Sequence, residues 1–266
     1  MRSWFLSTFL LLASAAICPA STLIDTFGQN QATCTYSQAP PYGTCDVIGD
    51  PQQFDIQQAT FSVNGGLATV MIYVNSGAVQ KVNNQLSLGA FSDSGVTLIP
   101  GDVFFYNPTA VYDPSDPATA RYLQYGIPLV SHGTFIAGDL YSITGNISTE
   151  TAQQALQDTS DYYRMDEAVL MQGSGAPLTS GAVTVANNGN GTTTGALYLL
   201  TVTVPTTSGF LSLVSGGQIG LLFSSADCGN DVIQGVVGAP EPGSALMILV
   251  GVVLLAAGRQ WRRRTA

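Results

Sequence analysis

Apolar and polar positions alternate in short runs along most of this chain, and glycine, proline, serine and asparagine clusters separate the runs. A period of two over four to eight residues is the mark of a half-buried strand. Strands are expected at 54–58, 60–63, 67–74, 85–91, 96–99, 102–106, 122–130, 140–146, 182–186, 196–204, 218–224 and 232–237. The run Leu197-Tyr198-Leu199-Leu200-Thr201-Val202-Thr203-Val204 places Leu200, Val202 and Val204 on one face and Thr201 and Thr203 on the other. Pro205 then ends it. Asn64-Gly65-Gly66 between two β-rich runs is a hairpin signal, because these residues tolerate positive φ. Ser92-Asp93-Ser94-Gly95 and Asn187-Asn188-Gly189-Asn190-Gly191 read as further turns, and 107–120, rich in proline and aspartate, as a loop. One helix is expected, at 149–158, where good helix formers follow a hydroxyl residue. No repeat period emerges. The pattern predicts an all-β chain whose body, 21–238, is a single β-sandwich of jelly-roll or immunoglobulin-like type with one short helix.

Both ends of the sequence break this pattern. Arg2, an uncharged apolar core over 4–17 and Cys18-Pro19-Ala20 read as a signal peptide over 1–20, cut before Ser21. Cleavage after Ala15 or Ala16, lipidation of Cys18 and an uncleaved anchor are the alternatives. At the other end, 239–266 holds Pro240-Glu241-Pro242, an apolar run and a basic cluster of Arg259, Arg262, Arg263 and Arg264. The run Ser244 to Gly258 has 15 residues. As a helix it covers roughly 22 Å of a ~30 Å hydrocarbon core, and Trp261 with snorkelling arginines extends the reach. A transmembrane helix is expected here, with the arginines inside and the body outside. The rival is a buried core helix, but the run has no polar face.

The proline-glutamate-proline tripeptide, the apolar span and the terminal arginines resemble the PEP-CTERM sorting domain of exported bacterial proteins. The resemblance implies recognition by an exosortase, with cleavage near Pro240, Glu241 and Pro242. The two prolines suit that role, since they hold the stretch extended and outside the helix. Cys228-Gly229-Asn230-Asp231-Val232-Ile233 resembles a segment that precedes such tails. The tail resemblance covers about a tenth of the chain and carries no catalytic role over to the body, which is expected to be part of, or bound to, an extracellular polysaccharide matrix.

Charge narrows the partners. Residues 21–239 hold three basic residues, Lys81, Arg121 and Arg164, against sixteen acids, a balance near −13. No basic patch exists to displace counterions, so nucleic acid is excluded as a partner. Three cysteines remain after the signal, Cys34, Cys45 and Cys228. Export favours pairing, and Pro40-Pro41-Tyr42-Gly43 between the first two favours a local Cys34–Cys45 bridge. Pairing of Cys228 with either one is the alternative, so Cys228 stays unassigned.

Catalytic chemistry is sparse. The one histidine, His132, lies in Val130-Ser131-His132-Gly133-Thr134 with no carboxylate nearby in sequence, and is expected in a turn or at a strand end. One histidine and scattered cysteines make no zinc site. Asp113-Pro114-Ser115-Asp116 and the group Asp158, Asp161, Asp166 and Glu167 offer oxygens for structural calcium, but match no calcium-loop pattern; the alternative is solvated loops. No cofactor is expected. Tyr106, Tyr112, Tyr122 and Tyr125 lie near the long loop, either as sugar-stacking aromatics or as core residues. The body is read as non-catalytic. The alternatives are a carbohydrate-active hydrolase with two facing carboxylates and a permanently anchored ectodomain.

Overall fold

The computed structural model describes residues 21–24, 54–82, 85–93, 96–110, 117–156, 167–188, 197–214, 218–227 and 231–238. In chain order the strands are β1 (Ser21–Ile24), β2 (Ile56–Asn64), β3 (Leu67–Asn75), β4 (Val79–Val82), β5 (Gln85–Leu88), β6 (Phe91–Asp93), β7 (Val96–Leu98), β8 (Val103–Tyr106), β9 (Leu123–Ile127), β10 (Tyr141–Ser142), β11 (Ile147–Thr151), β12 (Ala168–Gly173), β13 (Ala182–Asn187), β14 (Leu197–Pro205), β15 (Gln218–Ser224) and β16 (Val232–Gly238). Two short helices, α1 (Ala152–Leu156) and α2 (Ser208–Val214), and a 3-10 turn at Pro117–Tyr122 complete the described elements. The fold is all-β. None of the described helices is long and apolar enough to cross a membrane.

The strands form two five-stranded antiparallel sheets, ordered β1-β2-β3-β14-β13 and β10-β9-β8-β15-β16. Three two-stranded ribbons, β4-β5, β6-β7 and β11-β12, lie outside them. Alternation sets the faces of the first sheet. Ala68, Val70, Ile72 and Val74 of β3 are buried, and Thr69, Met71 and Tyr73 between them are half-buried. The buried set joins Phe61, Leu200, Val202 and Val204 in a cluster that also holds Val103, Phe105, Ile219, Leu221 and Phe223 of the second sheet. The two sheets therefore share one core. Phe61 meets Phe105 edge-on at 5.9 Å between ring centroids. Phe210 of α2 closes that core, perpendicular to Phe105 at 5.1 Å and to Tyr125 at 5.4 Å.

The second sheet is covered on both faces. Val103, Phe104, Phe105 and Tyr106 of β8 are all buried, which is why this strand reads as an unbroken apolar run. Phe104, Tyr106 and Leu222 face a second cluster with Phe135, Tyr141, Ile147 and Met171. That layer comes from the β11-β12 ribbon and the connection between β9 and β10.

Several expectations change. The two expected strands at 54–58 and 60–63 are one strand, β2, whose register shift between Ile56 and Gln58 absorbs the irregular spacing. The expected strand at 85–91 breaks into β5 and β6, separated by Gly89 and Ala90. The helix expected from 149 is strand β11 up to Thr151, and α1 begins at Ala152. Pairing of Thr149 with Met171 across the ribbon overrides the local helix preference. The loop expected to reach 120 instead enters its 3-10 turn at Pro117. β1, β4, β12 and α2 were not expected. The signal peptide, Cys34, Cys45, Cys228, Pro240, Glu241, Pro242, Arg259, Arg262, Arg263 and Arg264 lie outside the described residues.

Candidate functional site

Titratable side chains converge where the β11-β12 layer meets the second sheet. Asp102 is the hub. It lies between β7 and β8, immediately before the apolar run, and is fully buried. Its own N–H donates to the Val169 carbonyl at 2.8 Å. Its Oδ2 accepts the Met171 N–H at 2.7 Å, so both its backbone and its side chain grip β12. His132 Nε2 lies 3.1 Å from each carboxylate oxygen. Where Asp102 is ionised it only accepts, and Nε2 is then the donor. Gly101 makes the approach possible, because a Cβ there would stand 2.8 Å from the Ser224 carbonyl oxygen and 3.2 Å from that of Val169.

A tight turn holds His132 in place. Its N–H donates to the Phe135 carbonyl, and the Phe135 N–H donates back at 2.8 Å. Gly133 sits at φ +53 within it. The ring leans on Phe135 at 5.4 Å. The expectation of a turn is met. The missing partner carboxylate comes from thirty positions earlier in the chain.

Two further acids act on this pair. Glu150 comes from β11, and Asp227 follows β15. The Asp227 N–H donates to the Ile99 carbonyl at 2.8 Å, and its Oδ1 accepts the Ile99 N–H at 3.3 Å. Burial pushes the Asp227 carboxyl up to about 7; the Ile99 amide and the His132 charge oppose the rise, and Glu150 adds to it. Burial also raises Glu150, against the pull of His132. Complete burial raises Asp102, opposed by the hydrogen bond and charge of His132 and by the Met171 amide. Burial works against a charged His132, but the hydrogen bond and charge of Asp102, with the charges of Glu150 and Asp227, outweigh it and raise the imidazole.

Two other buried acids, Asp231 and Asp139, are backbone staples. Asp231 accepts the Ile56 N–H and the Val232 N–H, and its carbonyl accepts the Ser225 N–H at 2.9 Å. This ties the residues flanking β15 and β16, Ser225 and Asp231, to the start of β2. Asp139 accepts the Gly181 N–H at 3.2 Å. Each carboxylate thus satisfies one or more backbone amides.

This arrangement holds protons and joins elements. Acyl transfer needs a nucleophile on the imidazole, and among the described residues no hydroxyl or thiol hydrogen-bonds to His132. Among the described residues no three His, Cys, Asp or Glu side chains are grouped to hold a metal ion. Asp113, Asp116, Asp158, Asp161, Asp166 and Tyr112 lie outside the described residues, while Glu167 is buried. Tyr106 is a core residue, Tyr125 packs on Phe210, and Tyr122 lies under Arg121 at 5.0 Å. A groove of about 580 Å³ opens elsewhere, between β5, β13 and the residues after β9, lined by Leu86, Leu88, Leu129, Val183 and Thr184 with no carboxylate.

Sequence reasoning missed Asp102, Glu150 and Asp227 as partners of His132. The usable signal was Asp102 itself, an acid abutting a strand apolar on both faces, where a charge requires a buried partner. No family model, no curated protein and no solved structure matches this chain.

Proposed function

We propose that this chain is an exported bacterial surface protein, sorted through its C-terminal tail by an exosortase. In this reading its body is a β-sandwich of jelly-roll or immunoglobulin-like type that works without catalysis in or on an extracellular polysaccharide matrix. The observation that carries the reading is the order of Pro240-Glu241-Pro242, the apolar run and Arg262-Arg263-Arg264, paired with an apolar segment behind Arg2 at the N-terminus. Two antiparallel sheets sharing one core support a sandwich. The net acidity of 21–239 suits a soluble exterior domain. The experiment is deletion of residues 240–266 followed by fractionation of the producing cells. Loss of envelope retention with continued export is the expected result. Unchanged retention, or a body found in the cytosol, overturns the reading.

One observation favours a hydrolase. A carboxyl held protonated up to about pH 7, as Asp227 is, has the protonation state of a general acid, and Glu150 acts on it electrostatically. The geometry argues against it: Asp227 is 7% exposed, its Oδ1 is engaged by the Ile99 amide, and the described groove lacks a carboxylate. Non-catalytic association is therefore the reading we adopt. A permanently anchored form of the same protein differs only in keeping its tail.

A further inference from the structure

The first sheet contains no acidic or basic residue in any of its five strands, although 21–239 holds sixteen acids. Its inner positions build the core, so its outer positions are the informative ones. Register aligns them into rows. Thr22 pairs with Thr60, Thr60 with Met71, Met71 with Thr201 and Thr201 with Thr184. This row crosses all five strands. It is exposed at Thr22 and Thr184, half-buried at Met71 and Thr201, and buried at Thr60. Beside it runs Ser62, Thr69 and Thr203, and on the other side stands Tyr73. The face therefore carries row positions about 4.8 Å apart across the strands and about 7 Å apart along them, with hydroxyls accessible at Thr22, Thr201 and Thr184 and a thioether and a phenol between them.

We propose that this charge-free outer face binds a neutral polysaccharide laid across the strands. A sugar ring has hydroxyl edges and apolar C–H faces. The threonine rows match the first, and Met71 and Tyr73 match the second. The strand spacing is close to the length of one extended pyranose, so a chain crossing the sheet meets one row residue per sugar. Charge selects among polymers. The balance of about −13 over 21–239 repels an acidic polysaccharide, and a polycation would seek the acids that this sheet lacks. This inference rests on the matrix reading and gives it a surface.

The test uses the full chain, purified in detergent, and its depletion from solution by microcrystalline cellulose as a neutral β-glucan, with alginate as the acidic control. Binding to cellulose that survives high salt, with none to alginate, is expected. Thr201→Glu sets a charge at the centre of the face and should weaken cellulose binding at least about tenfold. Thr184→Glu, on the edge strand, should do so at little cost to folding, and Ser174→Glu, outside the sheet, should change nothing. Thermal unfolding checks that each variant is folded. Absence of cellulose binding, binding abolished by salt, or folded variants at 201 and 184 that bind as well as the parent each overturn the proposal. A concentration-dependent dimer that Thr201→Glu dissociates, without cellulose binding, also overturns it and assigns the face to a second copy. Envelope retention through the tail with no cellulose binding sinks the face alone. Envelope retention left unchanged by deletion of residues 240–266, with cellulose binding intact, sinks the sorting account alone.

Discussion

His132 Nε2 stands 3.1 Å from both carboxylate oxygens of Asp102, a fully buried residue whose other side-chain bond runs to the Met171 amide. Removing the imidazole leaves Asp102 with that amide alone. A hydrogen bond to a buried charge contributes roughly 1.5–3 kcal/mol, so His132→Ala should destabilise the fold by about 2 kcal/mol. Asp102→Ala should cost at least as much, because it also frees the Met171 N–H. The double variant should cost less than the two single losses added together. Urea unfolding of the four proteins measures this, and strict additivity would refute the coupling.

Stability should fall as pH rises. Asp55, Asp102, Glu150 and Asp227 are all raised by burial, and His132 is raised by its acidic neighbours. For each carboxyl the native state keeps a proton that the unfolded chain has already released. The native state therefore binds more protons, and the slope of stability against pH is negative. For Asp227 the window runs from 3.8, the ordinary value, to about 7. His132 has the same sign. Its contribution is present below the unfolded value of 6.5 and is lost as pH passes its higher native value. Melting temperatures from pH 4 to 8 should decline, and Asp227→Asn should flatten the decline. A maximum at pH 8 would contradict this assignment of charges.

Phe210 is the point where α2 locks onto both sheets, with Phe61, Phe105 and Tyr125 around its ring. It is fully buried. Truncation to alanine opens a cavity among aromatic rings that cannot collapse into it. Phe210→Ala should cost about 3–5 kcal/mol, and Phe210→Leu clearly less. Chemical denaturation gives both values, and equal losses would show that packing at this ring is not what holds the helix.

The legible parts of the fold were those where one strand decided its own fate. β15 matches its expected span at both ends, and the Asn64-Gly65-Gly66 turn joins β2 to β3 with Gly65 and Gly66 at φ +57 and +80. The core residues Leu200, Val202 and Val204 were read from alternation alone. What was missed depends on partners. β12 is a short apolar run, Ala168-Val169-Leu170-Met171, without a period to separate strand from buried helix, and it is a strand because β11 and Asp102 pair with its backbone. His132 looked solitary because Asp102, Glu150 and Asp227 arrive from three distant segments. The charge-free outer face was half legible, since Thr201 and Thr203 were assigned one face, while the row from Thr22 to Thr184 exists only through register.

The most direct test of the account is the intact mass of the mature protein recovered from the producing cell. The expected mass ends near Pro240-Glu241-Pro242, with the apolar run and its arginines removed. A mature chain that still carries Arg262, Arg263 and Arg264 would contradict sorting by cleavage and leave a permanent anchor in its place.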